Sequence, residues 1–552
     1  MATNIKRRNF LKNSLLAAGG IILVPNFISC SSDTDELSFP IPSNLTEKNF
    51  EQGVASFDPT NSQVIIWTRY TTESSSVKLT WQLAKDADFK DLVRQGEVKT
   101  DASRDFTVAI EIKDLAENLK LYYRFVNVSE VTTSPVGETL TFGASTTQVK
   151  LAVASCANYA SGYFNAYEAI QKSDADVVVH LGDYIYEYGE NTYGSLRKPE
   201  PSGEIISIDD YRIRYRQYRS DKKLKELHQK KPFICVWDDH EVTNDTYKDG
   251  AENHQTNEGD FETRKQVALQ VYSEYLPNTT NLADNSIIYR SLQIGSLIDL
   301  IMLDTRVVGR DKQLSYTDYT SASGFDAVGF QQAWLDPSRT LLGSAQKTWL
   351  KNEMAKSSST WQVIGQQVLM GKMLIPAELL SLFGTPALQT TLAELVVIKS
   401  RLLQGDPTVT VAEKARVTTV LPYNLDAWDG YYVEREEILA TFEGKKVVVL
   451  AGDTHNAWQS DLKTGAGVKV ASELATSSIS SPGLETYLGT ADTSQLEGAL
   501  KLLIDDLNYL NASDRGFMKL SVTAGGITTD WEYVDSVTSE TFASTVKNTI
   551  SI

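Results

Sequence analysis

The chain has 552 residues, 41% hydrophobic and 22% charged, with 53 basic and 71 acidic side chains, a net charge of −18 and three cysteines. At roughly 100–200 residues per domain, this length implies several domains and ample material for a core, which excludes a disordered or fibrous chain. The acidic balance argues against a stable nucleic-acid partner or a polybasic membrane-surface protein, and three cysteines without a CxxC pair exclude a disulfide framework.

Residues 1–29 read as an address. Lys6-Arg7-Arg8-Asn9-Phe10-Leu11-Lys12 is a basic start with twin arginines. The apolar run from Leu15 to Ile28 is shorter than the about 20 residues that span a bilayer, and glycines break it. This is the layout of a twin-arginine-type signal peptide. Phe27-Ile28-Ser29-Cys30 resembles a lipoprotein box, so Cys30 is expected to carry a lipid and residues 30–39 to form a polar tether. Cleavage near Ser29 without a lipid is the alternative. The expected destination is export, as a periplasmic, outer-membrane or cell-surface lipoprotein held to the membrane through its N-terminus. Removing the leader takes four basic residues (Lys6, Arg7, Arg8, Lys12) and no acidic ones, so the mature charge falls from −18 to −22.

Residues 40–145 alternate with a period of two. Val64-Ile65-Ile66-Trp67, Val77-Lys78-Leu79-Thr80-Trp81, Phe106-Thr107-Val108-Ala109-Ile110 and Leu121-Tyr122-Tyr123-Arg124-Phe125 are separated by turn residues. Short strands at this spacing predict an immunoglobulin-like β-sandwich. Nothing in it has catalytic spacing.

From 146 to 552 apolar strand runs alternate with helical stretches, an α/β signature. Five runs end in chemistry-bearing residues: Ser155-Cys156-Ala157-Asn158, Gly182-Asp183-Tyr184-Ile185-Tyr186-Glu187, Asp238-Asp239-His240-Glu241 with Asn244-Asp245, Asp304-Thr305-Arg306, and Gly452-Asp453-Thr454-His455. Strand C-termini form the ligand crevice of α/β proteins, so these ends are expected to converge. Each fragment alone has an ordinary reading: Gly-Asp as a turn, Cys156 as a buried thiol, Asp238-Asp239-His240-Glu241 as an exposed acidic loop. His180, inside an apolar strand, reads as a core histidine rather than a ligand. The stretch 376–419 reads as a helical insertion.

Together the segments resemble a metallophosphoesterase. The spacing from Gly182 to Tyr186 also resembles the purple acid phosphatases. Cys156-Ala157-Asn158 stands where that superfamily carries Asp-x-His, and Trp237-Asp238-Asp239-His240-Glu241 replaces Gly-Asn-His. Both departures are the pattern of the PhoD-like alkaline phosphatases, and Ile66-Trp67-Thr68-Arg69 and Trp428-Asp429-Gly430-Tyr431 extend the likeness. The resemblance implies a layered αββα catalytic domain holding one Fe³⁺ and two Ca²⁺. It assigns Fe³⁺ to Cys156, Asp183, Tyr186 and His455, and Ca²⁺ to Asp183, Asp239, Asn244 and Asp453, with Asp238 and Asp245 as substitutes. The residue types agree with that assignment: few histidines and many oxygen donors suit hard cations, and phenolate and thiolate suit Fe³⁺. The implied reaction is hydrolysis of small phosphate monoesters by metal-activated water. Arg306 would grip the phosphate, Asn158 would donate to it, and His240 would protonate the leaving alkoxide or orient a ligand. Phosphate scavenging is the expected role. A phosphodiesterase acting on lipid, polymer or nucleotide esters is the alternative, and a non-catalytic surface-binding lipoprotein a third reading.

Overall fold

The strand Val447–Ala451 shows how these residues build the centre of the molecule. In the computed structural model, which describes residues 40–488 and 493–552, every residue of this strand is buried. Val448 and Leu450 enter one apolar cluster, while Val447, Val449 and Ala451 enter another. Successive side chains of a strand face opposite ways, so a strand apolar on both faces belongs in an inner layer. Ile298–Met302 divides in the same way, with Leu300 and Met302 on one side and Ile301 on the other. The segments expected to be a signal peptide and a tether, with Cys30, lie outside the described residues.

Two mixed sheets form the inner layers. The seven-stranded sheet runs Arg290–Ile294, Ile298–Met302, Trp361–Gly365, Val447–Ala451, Lys469–Ala475, Ala457–Lys463, Leu507–Asn511. Its four central strands are parallel, from Ile298–Met302 to Lys469–Ala475. The nine-stranded sheet runs Ser544–Ser551, Ile527–Val534, Arg515–Thr523, Gln148–Ala154, Val177–His180, Phe233–Cys235, Val54–Phe57, Val64–Arg69, Thr107–Ile112. Both sheets contribute to one shared core, for example Val153 and Val179 from one and Val363 and Val448 from the other. Helices cover the outer faces. Asn165–Lys172 and Lys222–Lys230 bring Ile170 and Leu224 to the nine-stranded sheet, and Gly343–Lys356 and Tyr432–Leu439 bring Leu350 and Ile438 to the seven-stranded sheet. Residues 376–419 leave and return through the ladder Leu374–Pro376 with Val420–Pro422, and include the helices Ala387–Leu403 and Val411–Thr418.

The N-terminal module has two sheets packed over one apolar cluster, and one of them is shared with the rest of the chain. One of its sheets is its own: Lys120–Asn127 pairs with Ser76–Ala84, which pairs with Leu92–Asp101. The other continues the nine-stranded sheet, because Val54–Phe57 pairs in parallel with Phe233–Cys235. The reason lies in Val64–Arg69, buried at every position. Val64 and Ile66 pack on Leu79, Leu121 and Phe125 of the N-terminal sheet, whereas Ile65 and Trp67 enter the core shared by the two large sheets. A free-standing sandwich would leave the second face in water.

Candidate active site

The loops leaving the parallel strands meet at one edge of the stacked sheets. Their backbones are unusual there. Cys156, Asp183, Asp245, Asp453 and His455 have φ values of 60°, 53°, 53°, 64° and 62°. Side-chain-bearing residues seldom adopt this left-handed region, and such strain concentrates where function requires a particular geometry. Gly182, at φ 105°, is required by crowding as well: a Cβ there would sit 2.4 Å from Asp238 Cβ and 2.5 Å from Asp238 N. Glu241 clamps the two loops together, its carboxylate accepting from the backbone N–H groups of Asp183, Tyr184 and Asp238 at 3.1, 2.5 and 2.7 Å.

Two groups of metal-ligand type share Asp183. Donor atoms of Cys156, Asp183 and His455 lie within 4.8 Å of one another, and so do those of Asp183, Asp239 and His240. Tyr186 joins the first group, with its hydroxyl donating to Asp183 Oδ2 at 2.9 Å and lying 3.2 Å from His455 Nε2. His455 Nδ1 donates to the Pro482 carbonyl at 2.7 Å, which leaves Nε2 unprotonated, with its lone pair toward the group. Ser481 Oγ, 2.7 Å from Tyr186 Oη, ties the phenol to the neighbouring loop.

In the second group His240 Nδ1 donates to Glu187 Oε2 at 2.6 Å. Glu187 is fully buried, and its other oxygen accepts from Asn244 N at 2.8 Å and Asn253 Nδ2 at 2.9 Å. Burial alone would discharge His240, but Glu187, Asp183 and Asp239 outweigh it and raise its pKa well above the imidazole range.

Arg306 is completely buried, and its guanidinium reaches three carboxylates: Asp238 at 2.5 Å, Asp426 at 2.9 Å and Asp453 at 2.9 Å. Asp304 is no partner for that guanidinium. It caps the following turn, accepting from the backbone N–H groups of Arg306 and Val307 at 2.8 Å each. Arg310 also binds Asp426.

The electrostatics identify what this edge of the sheets would hold. Burial and the Asp183 charge push the Cys156 thiol well up; burial, Asp183 and Cys156 do the same to the Tyr186 phenol. Burial and neighbouring carboxylates raise Asp183 and Asp453. Asp183 Oδ1 and Asp238 Oδ2 are buried with no protein partner. Anionic donors crowded beyond what Arg306 and His240 balance are what a multivalent cation relieves, because binding deprotonates its ligands and supplies the missing charge. The donor set therefore fits metal ions.

Cys156, Asp183, Tyr186, Asp239, His240, Arg306, Asp453 and His455 thus occupy one place. Two other expected residues have polar partners of their own. Asn158 donates its amide to the Tyr193 carbonyl at 2.8 Å and accepts from Ala160 N at 2.8 Å, bracing its own loop. Asn244 directs its amide to Glu252 at 3.1 Å. Asp245 accepts from Gln313 at 2.8 Å and is raised to about 7 by burial and by Asp426 and Asp239. Three contributors had no role assigned from sequence: Glu187 and Glu241, inside quoted motifs, and Asp426, two residues before Trp428.

A family model described as PhoD-like phosphatase matches residues 151–531, and one described as PhoD-like phosphatase, N-terminal domain, matches residues 36–143. The chain belongs to the PhoD-like phosphatases. It is 33% identical to alkaline phosphatase D of Bacillus subtilis (strain 168) over 524 residues, covering 90% of this chain and 79% of that protein. A solved structure of PhoD superposes with a TM-score of 0.74 at 30% identity, covering 92% of this chain and 91% of the other. A purple acid phosphatase from yellow lupin (Lupinus luteus) seeds shares the fold, with a TM-score of 0.52 at 10% identity and coverage of 90% and 73%. As a PhoD-like phosphatase the protein is a phosphoric ester hydrolase, and its metallophosphoesterase-like fold is that of both structures.

Proposed function

We propose that this PhoD-like phosphatase is an exported hydrolase of phosphate monoesters that scavenges phosphate and works with one Fe³⁺ and two Ca²⁺. The observation that carries the metal reading is the pair of donor groups sharing Asp183. Cys156, Tyr186 and His455 on one side, with a thiol and a phenol that the cation would deprotonate, would hold Fe³⁺. Asp239 and Asp453 with Asp183 would hold the calcium ions. When bound, these cations supply positive charge for the phosphate oxygens and acidify the attacking water.

The chain's own residues do the rest. Arg306 is fixed by Asp238, Asp426 and Asp453, so its planar donors present one orientation to a phosphate. His240 is kept charged by Glu187, and its second nitrogen would give a proton to the departing alkoxide. Export and a lipid on Cys30 are supported by the twin-arginine start and the segment Phe27 to Cys30, and the expected partners are the ester substrate and the membrane.

Turnover of p-nitrophenyl phosphate against its bis ester, with elemental analysis of the same preparation, tests this reading. Preference for the monoester and one iron per chain with a visible charge-transfer band support it. Preference for the bis ester refutes the monoesterase assignment, and an active, colourless, iron-free protein refutes the iron. Mass spectrometry of the membrane fraction tests the lipid: Cys30→Ala should release the protein.

A further inference from the structure

The helix Ile208–Ser220 carries four arginines, and three of them are satisfied. Arg212 pairs with Glu274 at 2.7 Å and Arg216 with Asp105 at 2.8 Å. Arg214 donates to the carbonyls of Glu200 and Pro201 at 2.9 and 3.1 Å. The fourth, Arg219, is fully buried, and its Nε, Nη1 and Nη2 have no hydrogen-bond partner among the described residues. Its guanidinium lies over the Trp67 ring, 4.4 Å from the centroid. Asp221, the nearest carboxylate along the chain, is held by Arg197 at 2.6 Å.

The groups around Arg219 carry no compensating charge. Ser56 Oγ, Tyr123 Oη and His228 Nδ1 are likewise buried without a protein partner. Arg219 faces the Tyr184 hydroxyl, which also meets His228 Nε2 at 2.9 Å, and the Tyr123 hydroxyl faces Ser56. Burial, with Arg219 pushing the same way, holds His228 neutral. Around Arg219 lie hydroxyl groups and a neutral imidazole, and no carboxylate within hydrogen-bond distance of the guanidinium among the described residues. A buried charge requires a counter-charge or a full set of hydrogen bonds, and the Trp67 face supplies only part of either.

We propose that a small monovalent anion, chloride in ordinary buffers, binds at Arg219 between Ser56, Tyr123 and His228. A single cation walled by Trp67, Tyr123 and Tyr184 suits one negative charge and no bulky oxyanion. The position gives the ion a structural role. Tyr123 belongs to the N-terminal sheet, Ser56 and Trp67 to the strands shared by the two modules, and Tyr184 to the loop that carries Asp183 and Tyr186. The anion would join the N-terminal sheet to the base of that loop.

Crystals of the holoenzyme grown in sodium bromide, with anomalous data at the bromine edge, test this. A bromide peak in contact with the Arg219 guanidinium is expected; water alone at that position overturns the proposal. In solution, Tm should rise with chloride or bromide replacing gluconate at constant ionic strength, and Arg219→Met should lose that response. An unchanged halide response in Arg219→Met, or none in the wild type, also overturns it. If Arg219→Met does not fold, the bromide map of the wild type decides.

Discussion

His180 makes the acid stability of the protein a test of its buried core. It ends the strand Val177–His180, is fully buried, and has one hydrogen-bond partner, the Tyr167 hydroxyl at 2.8 Å from Nε2; Nδ1 has none. Burial lowers its pKa from 6.5 to about 3. Above pH 6.5 the ring is neutral in both folded and unfolded chains and adds no pH dependence. Between pH 6.5 and 3 the unfolded chain takes up a proton that the folded chain refuses, so stability falls with acidification and levels off below the folded value. At about 1.36 kcal/mol per unit, the full loss is about 5 kcal/mol, of which about 2 kcal/mol has gone by pH 5. His228, also held neutral by burial, acts in the same direction. Urea unfolding at a series of pH values, comparing wild type with His180→Gln, isolates the His180 share, because acid release of metal affects both proteins alike. The gap between the two stabilities should shrink by about 2 kcal/mol from pH 7 to pH 5. A gap that stays constant over that range would mean His180 is not held neutral, and the reasoning fails.

Three other substitutions probe the site and its support. Glu187→Gln removes the anion that holds His240 charged and should lower kcat by about 10²–10⁴-fold with little change in KM, measured on p-nitrophenyl phosphate; wild-type kcat would rule out the proton-donor role. Gly182→Ala forces a Cβ to 2.4 Å from Asp238 Cβ at φ 105°, and should cost at least about 1–3 kcal/mol and reduce bound metal, read by Tm and elemental analysis. An alanine variant with full metal content would show that the two loops can separate without consequence. Trp67→Ala should destabilise by about 3–5 kcal/mol and lower a single calorimetric transition, since Trp67 lies in the core common to both modules; separate melting of the N-terminal part would contradict the continuous sheet.

The ligands of the candidate metal site were legible because strand C-termini in a stacked α/β core point to one edge, so an Asp, Cys or His placed after an apolar run already has an address. Cys156, Asp183, Asp453 and His455 follow that rule, and their left-handed backbones show how tightly the loops are drawn. The supporting residues do not follow it. Glu187 lies 53 positions from His240, Asp426 is 120 from Arg306, and Ser481 is 295 from Tyr186. Nothing local distinguishes them from other polar residues in turns. Asn158, two residues after Cys156, likewise takes a partner no local signal reveals, the Tyr193 carbonyl 35 positions away.

The same division holds for the architecture. Chain composition and strand patterning determined that there are two kinds of region, one all-β and one α/β, and that acidic and sulfur donors end the strands of the second. Where the first region ends was decided only in three dimensions. Val64-Ile65-Ile66-Trp67 is apolar on both faces, and hydrophobic burial is non-directional, so the sequence demands cover for both faces without saying what supplies it. The pairing of Phe57 with Phe233 settles that question and makes the N-terminal strands the far edge of the catalytic sheet.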